Sequence, residues 1–151
     1  MILNIFLGFI GPWIIFIKHL YKKEEKLLLF LVAPVFSVLA YTINTFGFYF
    51  DFWEVIPFPD QKNLASLPFD LGIYPVLASY LIFFIKKIKK PYFVVFLMTF
   101  FTTFLELIFV YFGRVIYGNN WSIYLTFISY LFPYLFVYGY YKYLIKLNIL
   151  K

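Results

Sequence analysis

The sequence predicts an all-α protein, an integral membrane bundle of five transmembrane helices with the amino terminus outside and the carboxyl terminus inside. Three observations lead to this fold class. The 151 residues are 64% hydrophobic and only 13% charged, which is too little polar surface for a water-soluble domain of this size. Five apolar runs approach the length of a membrane-crossing helix. The lysines gather in short clusters beside those runs.

The apolar runs cover residues 2–17, 27–50, 68–85, 91–112 and 122–141, and they leave no room for a separate soluble domain. The first run has no positive charge before it and no small-residue cleavage site after it, so we expect a retained helix and not a signal peptide. The first run and the apolar part of the third, residues 71–85, are short for a span, so each is expected to recruit neighbouring residues, which for the third are part of LASLPFD. The second run is apolar on every side, which indicates a helix in lipid and no sheet.

The positions of the lysines predict the orientation of the bundle. Eleven of the twelve lysines fall within residues 18–26, 86–90 and 142–151, and five spans place all three clusters on the same side. Positively charged flanks remain in the cytoplasm, so this side is predicted to be the inner one. Trp and Tyr favour the membrane boundary. Tyr49, Trp53, Tyr117 and Trp121 are predicted to mark the outer boundary, with Tyr21, Tyr92 and the YGYYKY run marking the inner one.

Composition and charge exclude several classes of function. The net charge of +6 comes from lysines that flank apolar runs, which indicates contact with the lipid bilayer and argues against nucleic-acid binding. With no cysteine and one histidine, the chain has no Cys/His metal site and no disulfide, and we expect neither a metal nor a cofactor. Twelve lysines against one arginine suggest an A+T-rich genome, and hence the plasma membrane of a low-GC bacterium.

The connection between the second and third spans, residues 51–70, has two interpretations. It contains three prolines and four of the seven acidic residues, as a solvated loop would, with Asp70 as the N-cap of the next helix. Its interleaved apolar residues are also compatible with a lid over a pocket, or with a re-entrant segment lying against the bundle.

Glu106 is an acidic residue within the fourth apolar run, in the stretch FLMTFFTTFLELIFVYFGR, which covers residues 96–114. It lies six residues before the outer end, about 9 Å below the boundary at 1.5 Å per residue. Thr99, Thr102 and Thr103 share its helical face, so this face is expected to point towards protein. An ionised carboxylate in hydrocarbon costs about 2.5 to 3.5 kcal/mol, so Glu106 should be partnered, hydrated or protonated.

Other helices are predicted to bring polar side chains to the same level. Asn44 lies six residues from the outer end of the second helix, and the third helix begins with Asp70 and Tyr74. Arg114 lies two turns beyond Glu106 and could fold back towards it, although helical geometry places it about 80° round the axis. Glu106 either lines a polar pocket or serves as interhelical contact, bonded to Asn44 or a tyrosine hydroxyl.

Four segments of this chain, FWE, LPFDLGIYP, LELIFVYFG and YGNNW, appear in the order typical of a known family. The chain resembles a family of small multi-pass membrane proteins from endospore-forming Firmicutes that has no assigned function. Asn120 departs from the glycine usual in that turn, but asparagine also tolerates positive φ. The resemblance implies that the YGNNW turn lies beside the pocket of the glutamate. The recurring positions it implies are Trp53, Asp70, Pro75, Glu106, Gly113, Tyr117, Asn119 and Trp121.

The predicted ligand-binding site therefore comprises Glu106, Asn44, Asp70, Tyr74, Tyr117, Asn119, Trp121 and Arg114. The function expected of it is to bind, or to help translocate, a small polar ligand, a cation or a proton. One alternative is a membrane enzyme acting on a lipid or isoprenoid, with Glu106 and Asp70 as acid and base. Another is a scaffold that pairs with a membrane protein or a second copy, although such interfaces favour the small residues that are scarce here.

Overall fold

The computed structural model describes residues 1–20 and 26–150, which are mostly helical. The helices are α1 (Ile2–Ile5), α2 (Gly11–Leu20), α3 (Lys26–Leu31), α4 (Ala33–Tyr49), α5 (Lys62–Asp70), α6 (Ile73–Ile88), α7 (Pro91–Tyr111) and α8 (Ile123–Lys146). A π-helical stretch, Phe6–Ile10, joins α1 to α2, and a 3-10 turn, Pro59–Gln61, leads into α5. Two short strands, β1 (Trp53–Val55) and β2 (Val115–Tyr117), complete the fold.

The described residues contain five helical segments long and apolar enough to cross a membrane. They are Ile2–His19, Lys26–Tyr49, Lys62–Ile88, Pro91–Tyr111 and Ile123–Lys146. The expectation of five such helices is confirmed at this level. The third segment begins six residues earlier than predicted because α5 precedes α6, with a break between them at Leu71 and Gly72.

The two strands correct the prediction that the chain has no sheet. β1 and β2 pair antiparallel, with Trp53 opposite Tyr117 and Val55 opposite Val115. The bonds from Gly118 N to Phe52 O (2.9 Å) and from Ile56 N to Arg114 O (3.0 Å) flank this pairing. The physical reason is that backbone N–H and C=O groups in the connections need partners, and each connection supplies those of the other. We call β1 and β2 together the ribbon.

The ribbon marks one end of the helices. Both α4 and α7 end beside it, and the side chain of Asn4 donates to Ile56 O (2.7 Å) and Ala65 O (3.2 Å). The segment Ile2–His19, which we call the first helix, therefore begins at the end where the ribbon lies. We call this end the ribbon end. Helix directions place the described lysines of the three clusters, Lys18, Lys26, Lys86, Lys87, Lys89, Lys90, Lys142 and Lys146, at the opposite end, the lysine end. Tyr21, Lys22, Lys23 and Lys151 lie outside the described residues.

The connection 51–70 is neither a plain solvated loop nor headed by an N-cap at Asp70. Val55, Ala65 and Phe69 are buried and pack with Phe48 of α4 beneath the ribbon. Asp70 is the last residue of α5 and fully buried, because α5 turns its polar residues inwards against α4. The N-cap position of α6 belongs instead to Gly72, which makes no side-chain cap bond.

Gly72 also permits the first helix to cross the break between α5 and α6. A Cβ at this position would lie 2.0 Å from Gly8 O and 2.5 Å from the Cα of Phe9. Nearby, the indole of Trp13 donates to Leu71 O (2.9 Å), and the rings of Phe16 and Tyr80 meet edge to face at 5.9 Å. These contacts dock the first helix along α6.

Candidate functional site

The carboxylate of Glu106 faces neighbouring parts of the protein. It lies five residues before the end of α7, about 7.5 Å from that end. Its Oε1 accepts a hydrogen bond from the hydroxyl of Tyr117 in β2 (2.7 Å), and its Oε2 accepts one from Tyr130 of α8. Thr126 Oγ1 lies 3.2 Å from Oε1. The predicted inward orientation of this face is supported further by Thr99 and Thr102, which are buried.

The donors around Glu106 form a directed chain. The indole of Trp121 donates to Thr126 Oγ1 (2.9 Å), and Thr126 in turn donates to the Tyr117 hydroxyl (2.8 Å). The Tyr117 hydroxyl in turn donates to the Glu106 carboxylate. Such chains strengthen each hydrogen bond by polarisation, and they favour an ionised acceptor at their end. The chain therefore suits a carboxylate.

A second polar cluster lies on the other side of the site, around Asn44. Its side-chain amide donates to Asp70 Oδ1 (2.6 Å), and its Oδ1 accepts from the indole of Trp53 (3.1 Å). Ser66 donates to the second oxygen of Asp70 (3.0 Å). Both Asp70 oxygens thus accept hydrogen bonds from neutral donors, and this carboxylate holds the side chain of Asn44 in place.

Two adjoining cavities separate the clusters, with volumes of about 50 Å³ and 40 Å³. One water molecule needs about 10 to 15 Å³ by this kind of measure, whereas drug-sized ligands occupy about 300 to 1,000 Å³. The cavities therefore suit a few waters or a small ion. Both are lined by Asn44, Val55, Tyr74, Glu106, Val115 and Tyr130.

Aromatic rings form much of the wall of the larger cavity. The rings of Trp53 and Trp121 lie 4.8 Å apart between centroids, and those of Tyr74 and Tyr130 lie 6.0 Å apart. All four residues line this cavity together with Glu106. Aromatic faces attract cations electrostatically, most strongly when the site is desolvated. A carboxylate among such rings favours a positively charged occupant.

No ion pair to Glu106 occurs within residues 1–20 and 26–150. The ion pairs found there join Lys62 to Asp51 (2.5 Å) and Glu54 (3.1 Å) at the surface of the ribbon end. Arg114 contributes backbone bonds to the turn after α7 and makes no hydrogen bond to the carboxylate. Beside the site, burial raises the pKa of the Tyr117 hydroxyl, and the negative charge of Glu106 raises it further.

The structure brings together some, though not all, of the predicted site residues. Glu106, Asn44, Tyr74 and Trp121 line the larger cavity, and Tyr117 bonds directly to the carboxylate. Asn119 is exposed, has φ of 43° and donates to Phe50 O (3.0 Å), so it shapes the turn. Asp70 lines neither cavity, so it and Glu106 do not face one substrate position. Arg114 likewise lines neither.

The predicted site leaves out Thr126, Tyr130 and Trp53, although the fifth helix was expected to bring Thr126 and Tyr130 to this level and the resemblance implies Trp53 as a recurring position. Thr126, Tyr130 and Pro133 are spaced by four and three residues, which places them on one face of α8. That spacing was available as a signal, but it does not reveal which neighbouring helix the face meets. Trp53 reaches Asn44 only because the ribbon folds back over the end of α4.

In the part of the chain that the structure describes, no three His, Cys, Asp or Glu side chains come together as a metal site would require. Comparisons with protein-family models, with curated proteins and with solved structures find no match to this sequence. The similarity to the Firmicutes family therefore stays a prediction.

Proposed function

We propose that this chain is an integral protein of a bacterial plasma membrane that binds a proton or a small monovalent cation at Glu106. Membrane insertion is supported by the surface of α7, where Phe96, Phe100 and Phe104 are between 51% and 59% exposed while Thr99 and Thr102 are buried. Apolar side chains outside and polar ones inside suit a helix in lipid.

The lysine end is proposed to face the cytoplasm, so the ribbon and the site lie towards the outer side. Eight described lysines occupy the lysine end, whereas the ribbon end carries Lys62 and Arg114 together with Asp51, Glu54 and Asp60. An excess of lysine near helix ends keeps that side in the cytoplasm. The occupant of the cavity would then come from outside the cell.

One observation carries the proposed binding function. Glu106 lines two water-sized cavities, and its hydrogen-bond partners among the described residues are all uncharged hydroxyls. Hydroxyl donors stabilise a carboxylate, but they do not cancel its charge, which remains expensive in hydrocarbon. A proton or a small cation in the cavity would supply the missing positive charge. The cavity size excludes larger organic cations.

The test uses the two tryptophans that line the cavity as reporters. Fluorescence of the purified full-length chain in detergent is followed during titration with acid, and with sodium, potassium or ammonium chloride against choline chloride at constant ionic strength. We expect a saturable change with acid or with one of the cations. Glu106→Gln keeps the shape and removes the charge, so the response should weaken by at least about tenfold, equivalent to about 1.4 kcal/mol.

The matched control is Asp60→Asn, which removes an exposed carboxylate from the same end of the molecule. This variant should titrate like the wild type. Identical titrations of Glu106→Gln and wild type would refute the proposal, as would a wild type that responds to none of the probes. Circular dichroism should show that Glu106→Gln remains helical; if the variant unfolds, the carboxylate is a structural contact.

A further inference from the structure

A long apolar groove runs between α2, α6 and α7, away from Glu106. Its cavity volume is about 590 Å³, more than ten times that of either cavity at the carboxylate. Ile15 of α2, Leu77 of α6 and Leu97 of α7 are among its walls, and Tyr80 contributes the only hydroxyl group. A groove of this chemistry excludes polar occupants and admits a hydrocarbon chain.

The length of the groove fits a lipid tail. On α6 it extends from Ile73 to Ile88, which is about 22 Å at 1.5 Å per residue. The hydrocarbon core of a bilayer is about 30 Å thick, so the groove covers more than one leaflet. Its axis follows α6, and a chain within it would therefore lie along the helices.

Charge is distributed unequally along this groove. Lys87 and Lys89 are exposed at its lysine end, where Ile88 lines the wall, and Lys18 is exposed in the last turn of the neighbouring α2. The lining itself contains no charged side chain at either end, and Pro12 at the opposite end has no lysine or arginine beside it in the chain. The groove thus has an apolar body and one basic mouth. Basic pockets between helices on the cytoplasmic side bind anionic lipid headgroups.

We propose that the groove holds an acyl chain of an anionic phospholipid, whose phosphate lies against Lys87, Lys89 and Lys18. Charge complementarity selects this occupant over a neutral lipid, because only an anionic headgroup gains from the basic mouth. The inference depends on the membrane insertion proposed above, and it is independent of what occupies the cavity at Glu106.

The test measures which lipid the full-length chain retains. Protein extracted from the membrane fraction is incubated with equal amounts of phosphatidylglycerol and phosphatidylcholine of the same chain length, and bound lipid is counted by native mass spectrometry. We expect phosphatidylglycerol to be retained in excess. One lysine near a headgroup changes binding by about fivefold, so Lys87→Gln with Lys89→Gln should lower the lipid ratio by at least about that factor.

Matched variants test the apolar body of the groove and its basic mouth independently. Leu97→Trp fills the groove and should lower retention of both lipids, whereas Leu125→Trp makes the same change on the exposed surface of α8. Lys142→Gln with Lys146→Gln removes two exposed lysines from the same end of the molecule without touching the groove, and should preserve the ratio.

Several outcomes would overturn the proposal. They are equal retention of the two lipids by the wild type, equal effects of the two tryptophan variants, and a chain dimer that Leu97→Trp dissociates. The lysine variants lie on the exposed surface, so they test the headgroup contact even if Leu97→Trp fails to fold. Glu106→Gln should leave lipid retention unchanged, so failure of the cation site and failure of the lipid site are distinguishable. Absence of the chain from the membrane fraction would refute both.

Discussion

Substituting Gly72 by alanine tests the crossing of the first helix over the break between α5 and α6. The added Cβ would lie 2.0 Å from Gly8 O, 2.5 Å from the Cα of Phe9 and 2.7 Å from Pro68 O. All three are backbone atoms, so no side-chain rotation relieves the contact. The first helix must instead move away from α6 to clear Gly8 and Phe9, and the backbone between α5 and α6 must shift to clear Pro68 O.

The cost follows from what that movement breaks. Overpacking costs about 1 to 3 kcal/mol. The two hydrogen bonds of Asn4 and the one from Trp13 to Leu71 O cross the same interface, and weakening them adds about 1 kcal/mol. We therefore expect Gly72→Ala to lower the free energy of unfolding by about 2 to 4 kcal/mol.

Alanine substitutions at two other glycines serve as comparisons for Gly72→Ala. A Cβ on Gly8 would meet the ring of Phe69 at 3.0 Å, and because a ring can shift, the loss should be about 1 kcal/mol or less. A Cβ on Gly139 meets nothing within 4 Å, so alanine there should be neutral or stabilising by up to about 1 kcal/mol. Unfolding is followed by circular dichroism during titration of detergent-solubilised protein with sodium dodecyl sulfate. Equal stabilities of the Gly72 and Gly139 variants would refute the crossing geometry.

Two tyrosines test the polar interior. Tyr130→Phe removes a donor to the Glu106 carboxylate and should cost about 1.5 to 3 kcal/mol, whereas Tyr134→Phe removes a bond to neutral Thr102 and should cost about 1 kcal/mol; equal losses in the same unfolding titration would contradict an ionised Glu106. Tyr80→Phe removes a buried hydroxyl that has no hydrogen-bond partner among the described residues, so the variant should be at least as stable as the wild type, and a loss above about 1 kcal/mol would show that the hydroxyl is bonded.

The helices could be predicted from sequence because their signal is local. Each apolar run has or approaches the length of a membrane span whatever surrounds it, although the first and third are short. The ribbon has no such signal, since each strand has three residues and Trp53 pairs with Tyr117, 64 positions along the chain. The first part of α5, before Pro68, is not predicted because the polar and proline-containing stretch is typical of a loop, whereas burial against α4 holds it as a helix.

The sequence allows a prediction of how deep the site residues lie along the helices, but not of which side chains bond to one another. Counting residues from helix ends predicts that Asn44 and Glu106 lie at one level, and in the structure both line the two cavities. Counting does not establish how each helix is rotated towards its neighbours. Asn44 turns to Asp70, and Glu106 turns to Tyr130 and Tyr117, because each carboxylate takes the donors that the adjacent helix or strand presents.

The two acids within the third and fourth helical segments differ in what they can exchange. Asp70 is fully buried, its two oxygens are held by Asn44 and Ser66, and it lines no cavity found beside the site. A proton on Asp70 would be exchanged only by breaking those contacts. Glu106 is half-buried and lines both cavities, so a few waters or a small ion inside them would contact its carboxylate directly. The exchangeable positive charge that we propose is therefore assigned to Glu106, while Asp70 holds Asn44 in place on the opposite wall.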